Sequence, residues 1–337
     1  MNGKISNILT IDVEDYFMVS AFEQVVKREL WDSYESRVER NTYRILDIMA
    51  STLPLATDSS SQDPVSATFF CLGWVAERHP HIIKEIHSRG YEIASHGYDH
   101  RMILSMSPES FREDIRKSKA ILEDLTGREV IGYRAPSYTI TEKTIWALDV
   151  LADEGFQYDS SIFPVYHDRY GIPSAPRFPF ITFRNGKQSF EYIPLDPKYG
   201  ALPASGNGKS PDRAQESYNP GAKKPSKALV ELPISTLKLF GVNLPVAGGG
   251  YFRLLPVELI QWAMRRIAVK EDLPFIFYIH PWELDPGQPR ISGLSSRSRF
   301  RHYLNLDKTE SRFRKMLRTF PFTSCSAFIS QNDPARR

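Results

Sequence analysis

Cysteine is almost absent: the 337 residues contain two, Cys71 and Cys325, far apart in sequence. No disulfide framework follows, and a reducing compartment suits the chain. Cys71 lies in the apolar run Ala67-Thr68-Phe69-Phe70-Cys71-Leu72 and reads as a small buried hydrophobe. A strong charge imbalance is also missing. Forty-three basic and 40 acidic side chains leave a formal net charge of +3, spread along the chain, which excludes an extended nucleic-acid footprint. The arginine-rich stretch 290–318 reads as exposed helix and loop surface. No apolar run is long enough to cross a membrane, so no transmembrane segment is expected. Residues 1–8 pass directly into a strand-like run with no apolar signal core, and the expectation is a soluble, cytoplasmic protein. Internal repeats are lacking too.

What is present is a rhythm. With 41% hydrophobic and 25% charged residues, the composition is that of a globular protein long enough for one large α/β domain with additions. Short apolar runs rich in β-branched and aromatic residues occur at 8–11, 67–72, 91–94, 130–133 and 275–279. Between them, 37–50 and 80–88 place apolar side chains at helical spacing. Ser107-Pro108 predicts a capped helix running to Thr126, with Gly127 as its stop. Thr141 similarly predicts a helix over 142–153, ended by Gly155. Strands alternating with helices imply a mainly parallel sheet or barrel. Two stretches break the rhythm. Residues 55–66, with Ser59-Ser60-Ser61 and Asp63-Pro64, read as a loop insertion, and 201–227, poor in apolar residues, read as a mobile surface excursion. The triple glycine Gly248-Gly249-Gly250 marks either a turn or a place where backbone comes close to a ligand.

Four of these runs deliver polar residues immediately after their ends. The first gives Asp12, Glu14 and Asp15; the third gives Ser95-His96-Gly97-Tyr98-Asp99-His100. The fourth gives Arg134-Ala135-Pro136-Ser137-Tyr138, and the last gives His280-Pro281-Trp282-Glu283. In parallel α/β folds the carboxyl ends of strands gather at one face, where sites are built. Each cluster alone has a bland explanation: a helix-capping carboxylate, a chance histidine pair, a surface arginine, a satisfied core histidine. Holding at four strand ends at once, those explanations lose ground. His96 and His100, four apart, face the same way if one helical turn follows the strand. Two imidazoles and a carboxylate leave positions open on a divalent metal such as zinc. The third ligand is Glu14 or Asp15; strand alternation places Glu14 on the side of Asp12 and favours it. Asp12 then serves as base, Arg134 holds Asp12 ionised, and His280 protonates a leaving nitrogen. The metal and a backbone N–H near Tyr138 would hold the oxyanion.

These motifs, in this order, resemble the polysaccharide deacetylase family with NodB homology (carbohydrate esterase family four) over about residues 5–285. The histidine motif is the most specific match. Thr10-Ile11-Asp12 looks like the family's first motif, Arg134 to Tyr138 like its third, and Ile279-His280 like its last. Phe156-Gln157-Tyr158-Asp159-Ser160-Ser161 resembles the fourth, which lines the groove. The resemblance implies a distorted parallel (β/α) barrel and hydrolytic N-deacetylation of an N-acetylhexosamine-containing carbohydrate. Asp12 to Phe17, Gly248 to Pro256 and His280 to Glu283 look like the exosortase-associated branch, which accompanies bacterial exopolysaccharide clusters and carries a C-terminal extension. That suggests a domain over 1–285 and an extension over 286–337 that includes 301–306. The positions expected to meet substrate are Tyr16, Asp159, Tyr251, Arg253, Trp282 and Glu283. One departure stands out: Val13 occupies the place where most of the family has a second aspartate. Allantoinase-like relatives also depart there and are thought not to need a metal, so a metal-independent amidohydrolase of a small cyclic amide is the second reading. A non-catalytic carbohydrate-binding relative is the third.

Overall fold

The computed structural model describes residues 7–52, 65–184, 190–195 and 228–332. The expected excursion at 201–227 lies outside them, as does the insertion at 55–66 except for its last two residues. The strands are β1 (Asn7–Val13), β2 (Thr68–Cys71), β3 (Glu92–Ser95), β4 (Gly132–Tyr133), β5 (Tyr158–Asp159), β6 (Phe180–Arg184), β7 (Phe190–Pro194), β8 (Leu229–Glu231), β9 (Thr236–Leu239), β10 (Val242–Pro245), β11 (Ile276–Ile279) and β12 (Phe322–Thr323). The helices are α1 (Val38–Ser51), α2 (Gly73–Arg78), α3 (Pro80–Ser88), α4 (Pro108–Thr126), α5 (Ala147–Asp153), α6 (Gly249–Leu254), α7 (Val257–Arg265), α8 (Ser296–Tyr303), α9 (Leu306–Thr319) and α10 (Cys325–Asn332).

One curled sheet runs in the order β11-β1-β2-β3-β4-β5-β8-β6-β7, with β12 pairing beside β1. Every pair from β11 to β8 is parallel, whereas β6 pairs antiparallel with both β8 and β7. The result is a parallel β/α half-barrel, not closed among the described residues, and it matches the distorted barrel expected. β1 lies between β11 and β2 and is buried along its whole length, its polar residues Asn7, Thr10 and Asp12 included, as expected of a strand covered on both faces.

Local signals explain most helix limits. Ser107 Oγ accepts from Ser110 N–H at 3.2 Å, Pro108 takes the first turn, and Gly127 closes α4 with a left-handed φ of 65°. Such a cap contributes about 1 kcal/mol. The helix expected over 142–153 begins only at Ala147. Thr144 Oγ1 accepts from Thr141 N–H (2.8 Å) and donates to the Thr139 carbonyl (2.7 Å), so side-chain turns replace the helical ladder there. Gly248 is a close approach to strand rather than to ligand. With φ 140° it bridges to Tyr278, and a Cβ there would run into the Tyr278 carbonyl oxygen.

The segment after residue 285 shares the core. β12 pairs with Asn7 and Ile8, Phe313 of α9 stacks on Phe277, and Cys325 N–H donates to Thr68 Oγ1 at 2.8 Å. Among the described residues no helix is long and apolar enough to cross a membrane.

Candidate active site

The polar residues that follow β1, β3, β4 and β11 converge at the carboxyl ends of those strands. His96 and His100 stand with ring centroids 5.3 Å apart. Their meeting does not come from the expected helical turn. Gly97 and His100 both adopt left-handed backbone, φ 75° and 55°, and side chains hold the loop: Ser95 Oγ accepts from Gly97 N–H and Asp114 Oδ2 from Tyr98 N–H. The His96 Nδ1 proton goes to the Arg134 carbonyl (2.8 Å), which leaves Nε2 as the lone pair. Burial pushes the His96 ring down to about 4, so it is neutral at neutral pH.

Glu14 completes this cluster: one ligand atom each from Glu14, His96 and His100 lies within 4.8 Å of the others. Glu14 Oε2 is 2.9 Å from His100 Nε2, yet it is buried and makes no hydrogen bond among the described residues. Burial favours its protonation, but the imidazoles of His100, His280 and His96 hold the carboxyl well below the usual range. A buried, ionised, orphaned oxygen facing two imidazoles is a donor set that suits a divalent metal.

Asp15 is corrected as a candidate ligand. Its Oδ1 accepts from Tyr16 N–H, and its Oδ2 accepts from Ser36 Oγ and from the N–H groups of Arg37 and Val38, so it caps the start of α1. Strand alternation is not what separates the two acids. Glu14 N–H donates to the Asp12 carbonyl at 3.0 Å, a tight turn at Val13 that sends Glu14 to the histidines and Asp15 to the helix.

Beside the cluster, Asp12 Oδ1 accepts from Arg134 Nη1 at 2.6 Å. Arg134 is 0% exposed and also donates to Thr10 Oγ1, the Ser160 carbonyl and Ser160 Oγ. His280 Nε2 lies 3.3 Å from Glu14 Oε1 and 3.8 Å from Asp12 Oδ2, while its Nδ1 meets Glu283 Oε1 at 2.7 Å. Burial opposes its charge, but Glu14, Glu283 and Asp12 push the imidazole up to about 9. Tyr138 donates its N–H to the Ala135 carbonyl at 3.0 Å, so the N–H expected for an oxyanion is engaged within its own turn. Ser137 and Tyr138 are consecutive left-handed residues, φ 54° and 55°, a strain that persists only where surroundings enforce it. The Tyr138 hydroxyl is buried with no hydrogen-bond partner among the described residues.

Most positions expected to meet substrate are occupied elsewhere. Tyr16 is buried edge-on to Phe17. Asp159 is fully buried, accepts from Ser161 Oγ, and sits opposite Glu231 in register. Burial raises Asp159 to about 6 and, together with Asp159's charge, Glu231 well above its usual value. Arg253 Nε and Glu283 Oε2 form a buried pair at 2.6 Å. Trp282 is buried too, and its indole N–H donates to Glu14 Oε1 at 3.3 Å, which ties it to the candidate ligand rather than to a groove. Tyr251 remains half-buried. Glu231 was missed, because it carries no motif and reaches the site only through the fold; Ser160 and His302 lie within stretches the sequence singled out, but no role was assigned to either. A second group, Glu39, His79 and His81, is more exposed, and a surface ion pair between His81 Nε2 and Glu39 Oε1 at 2.9 Å accounts for it.

A curled β/α half-barrel thus brings an Asp–Arg pair, a Glu–His–His cluster and a His–Glu pair together at its strand ends. Residues 42–158 match the polysaccharide deacetylase family, and residues 197–330 match a domain of unknown function (DUF3473). Residues 42–158 are therefore similar to a polysaccharide deacetylase domain of the NodB-homology type. A peptidoglycan-N-acetylglucosamine deacetylase of Bacillus cereus is 35% identical over 97 residues, 28% of this chain and 35% of that protein. A peptidoglycan deacetylase of Helicobacter pylori is 32% identical over 109 residues, 31% of this chain and 36% of that protein. The chain thus spans about a third of the length of the curated relatives it matches. A putative polysaccharide deacetylase from Mycobacterium smegmatis shares the fold with a TM-score of 0.55 at 17% identity, covering 100% of this chain and 93% of that one. An allantoinase does so with a TM-score of 0.50 at 14% identity, covering 98% and 91%. His96, His100 and Arg134 fall inside the deacetylase match, whereas Asp12 and Glu14 precede it and His280 lies in the second segment.

Proposed function

We propose that this protein is a metal-dependent N-deacetylase of N-acetylhexosamine units in a bacterial exopolysaccharide or its precursor. The observation that carries this reading is Glu14 Oε2, buried and unbonded among the described residues, clustered with His96 and His100 and next to an Asp–Arg pair. Glu14, His96 and His100 would hold the cation, with zinc favoured by the donor set. Once bound, it supplies Lewis-acid activation of water and of the amide carbonyl. Asp12 takes the proton from the attacking water, and Arg134, bonded to its Oδ1, keeps it aimed. His280, charged through Glu283 and Glu14, gives its proton to the amine as the tetrahedral intermediate collapses.

The relatives named for peptidoglycan support a carbohydrate substrate, and the likeness of Gly248 to Pro256 and His280 to Glu283 to the exosortase-associated branch favours an exopolysaccharide. A cytoplasmic location, which the two free buried cysteines suit, would supply precursor sugars rather than finished polymer. The test is acetate release from N-acetylglucosamine oligomers, with activity followed across cell fractions. Activity confined to the periplasmic fraction would overturn the location. Metal-independent hydrolysis of a small cyclic amide, the reading raised by Val13, requires full activity after chelation.

A further inference from the structure

Trp282 stands in a stack of three rings. His280 stacks on it at 5.3 Å and 22°, and His302 of α8 stacks on it at 4.3 Å and 12°. The indole N–H donates to Glu14 Oε1, while the other carboxylate oxygen, Oε2, stands beside His100. One oxygen of Glu14 is thus tied back by Trp282, and the other is presented to the two imidazoles.

His302 is itself fixed. The Gln288 amide Nε2 donates to the carbonyls of Trp282 and Asp285, so Gln288 Oε1 is an acceptor and His302 Nε2 must donate to it, at 2.7 Å. Burial holds the His302 ring well below its usual value, so Trp282 packs on a neutral face.

Arg253 makes a parallel connection. Its Nε binds Glu283 Oε2 at 2.6 Å, and Nη1 donates to the carbonyls of Arg301, His302 and Leu304. Its own carbonyl accepts from Asn305 Nδ2 and Arg312 Nη1, both at 2.8 Å. Glu283 Oε1 meanwhile accepts from both His280 Nδ1 and His280 N–H. The guanidinium therefore binds the segment around 301–304 to the carboxylate that orients His280.

We infer that the segment over 296–306 is a positioning device for the active site. His302 sets Trp282 and through it the Glu14 carboxylate, while Arg253, locked by this segment, sets Glu283 and through it His280. In this role His302 and Arg253 act through other side chains rather than on substrate. The inference rests on Glu14, His96 and His100 being the metal ligands. It gives residues 296–306, which lie within the segment matching a domain of unknown function, a task that the strands of the half-barrel do not perform alone, because both contacts enter from outside those strands.

The test compares zinc affinity, by competition with a chelator, in the full-length wild type, His302→Ala, His302→Phe and Arg253→Lys, with kcat and KM measured alongside. Loss of a partner behind a metal ligand weakens binding by about tenfold or more, and that is expected for His302→Ala. His302→Phe restores a flat ring and should bind within about twofold of wild type. Arg253→Lys should keep zinc but lose about tenfold in kcat at unchanged KM, because an ammonium cannot reproduce the guanidinium fork. Equal zinc affinity in His302→Ala and wild type overturns the inference, as does a loss that His302→Phe fails to recover. A wild type that binds no zinc removes the ligand assignment beneath it and the inference with it; the wild-type measurement separates these failures.

Discussion

Asp12 and Arg134 form an ion pair at 2.6 Å with the arginine side chain wholly removed from solvent. Two charges are buried so deeply only when geometry and further hydrogen bonds offset their desolvation, and Arg134 has those bonds to Thr10 and Ser160. Removing one partner leaves the other uncompensated. Arg134→Met is therefore expected to lower stability by about 3 to 5 kcal/mol in a denaturant titration. Asp12→Asn/Arg134→Met should recover part of that loss while acetate release stays abolished. A double variant no more stable than Arg134→Met would show that the pair's charge is not what matters.

Asp159 and Glu231, facing each other across β5 and β8, make stability depend on pH. Both carboxyls are raised above their unfolded values, Asp159 to about 6 and Glu231 well beyond its normal range, with burial as the largest cause. A raised folded value means the contribution is complete below about pH 4 and is lost as pH climbs through the folded value. Glu231→Gln keeps the acceptor for Ile162 N–H and supplies a donor to Asp159 without a proton to lose. It is expected to be more stable than wild type at pH 8, on the order of 1 to 3 kcal/mol, and to differ little at pH 4. Thermal midpoints at the two pH values decide it; an equal offset at both would refute the coupling.

Gly248 and Gly250 are two residues apart but differ in kind. A Cβ at Gly248 collides with the Tyr278 carbonyl, whereas one at Gly250 meets nothing within 4 Å among the described residues. Gly248→Ala should cost about 2 kcal/mol or more and, by moving α6, disturb Arg253. Gly250→Ala, in the first turn of α6, should be neutral or stabilise by up to about 1 kcal/mol. Melting curves of the two variants check this, and similar losses in both would contradict it.

The strand ends were legible because apolar runs such as 8–11 and 275–279 change abruptly to charge, and a parallel sheet gathers such ends at one face. Which of two neighbouring acids faces the histidines was not fully legible, since it depends on a turn at Val13 that strand periodicity does not describe. Asp159, Arg253 and Glu283 were expected to contact a sugar because they lie in stretches that resemble the family's motifs. Their partners, Glu231 and the 301–304 carbonyls, lie too far along the chain for spacing to reveal. The turn at 141–146 was missed for a local reason: Thr144 offers the backbone an alternative to the helix that apolar periodicity does not register.

The central claim is that Glu14, His96 and His100 hold a metal on which amide hydrolysis depends. It is tested most directly by measuring bound zinc and acetate release together, in wild type before and after exhaustive chelation and in His96→Ala. The account predicts that wild type loses activity with its zinc and regains it on zinc addition, and that His96→Ala neither binds zinc nor releases acetate. Wild type that remains fully active once stripped of metal would contradict it.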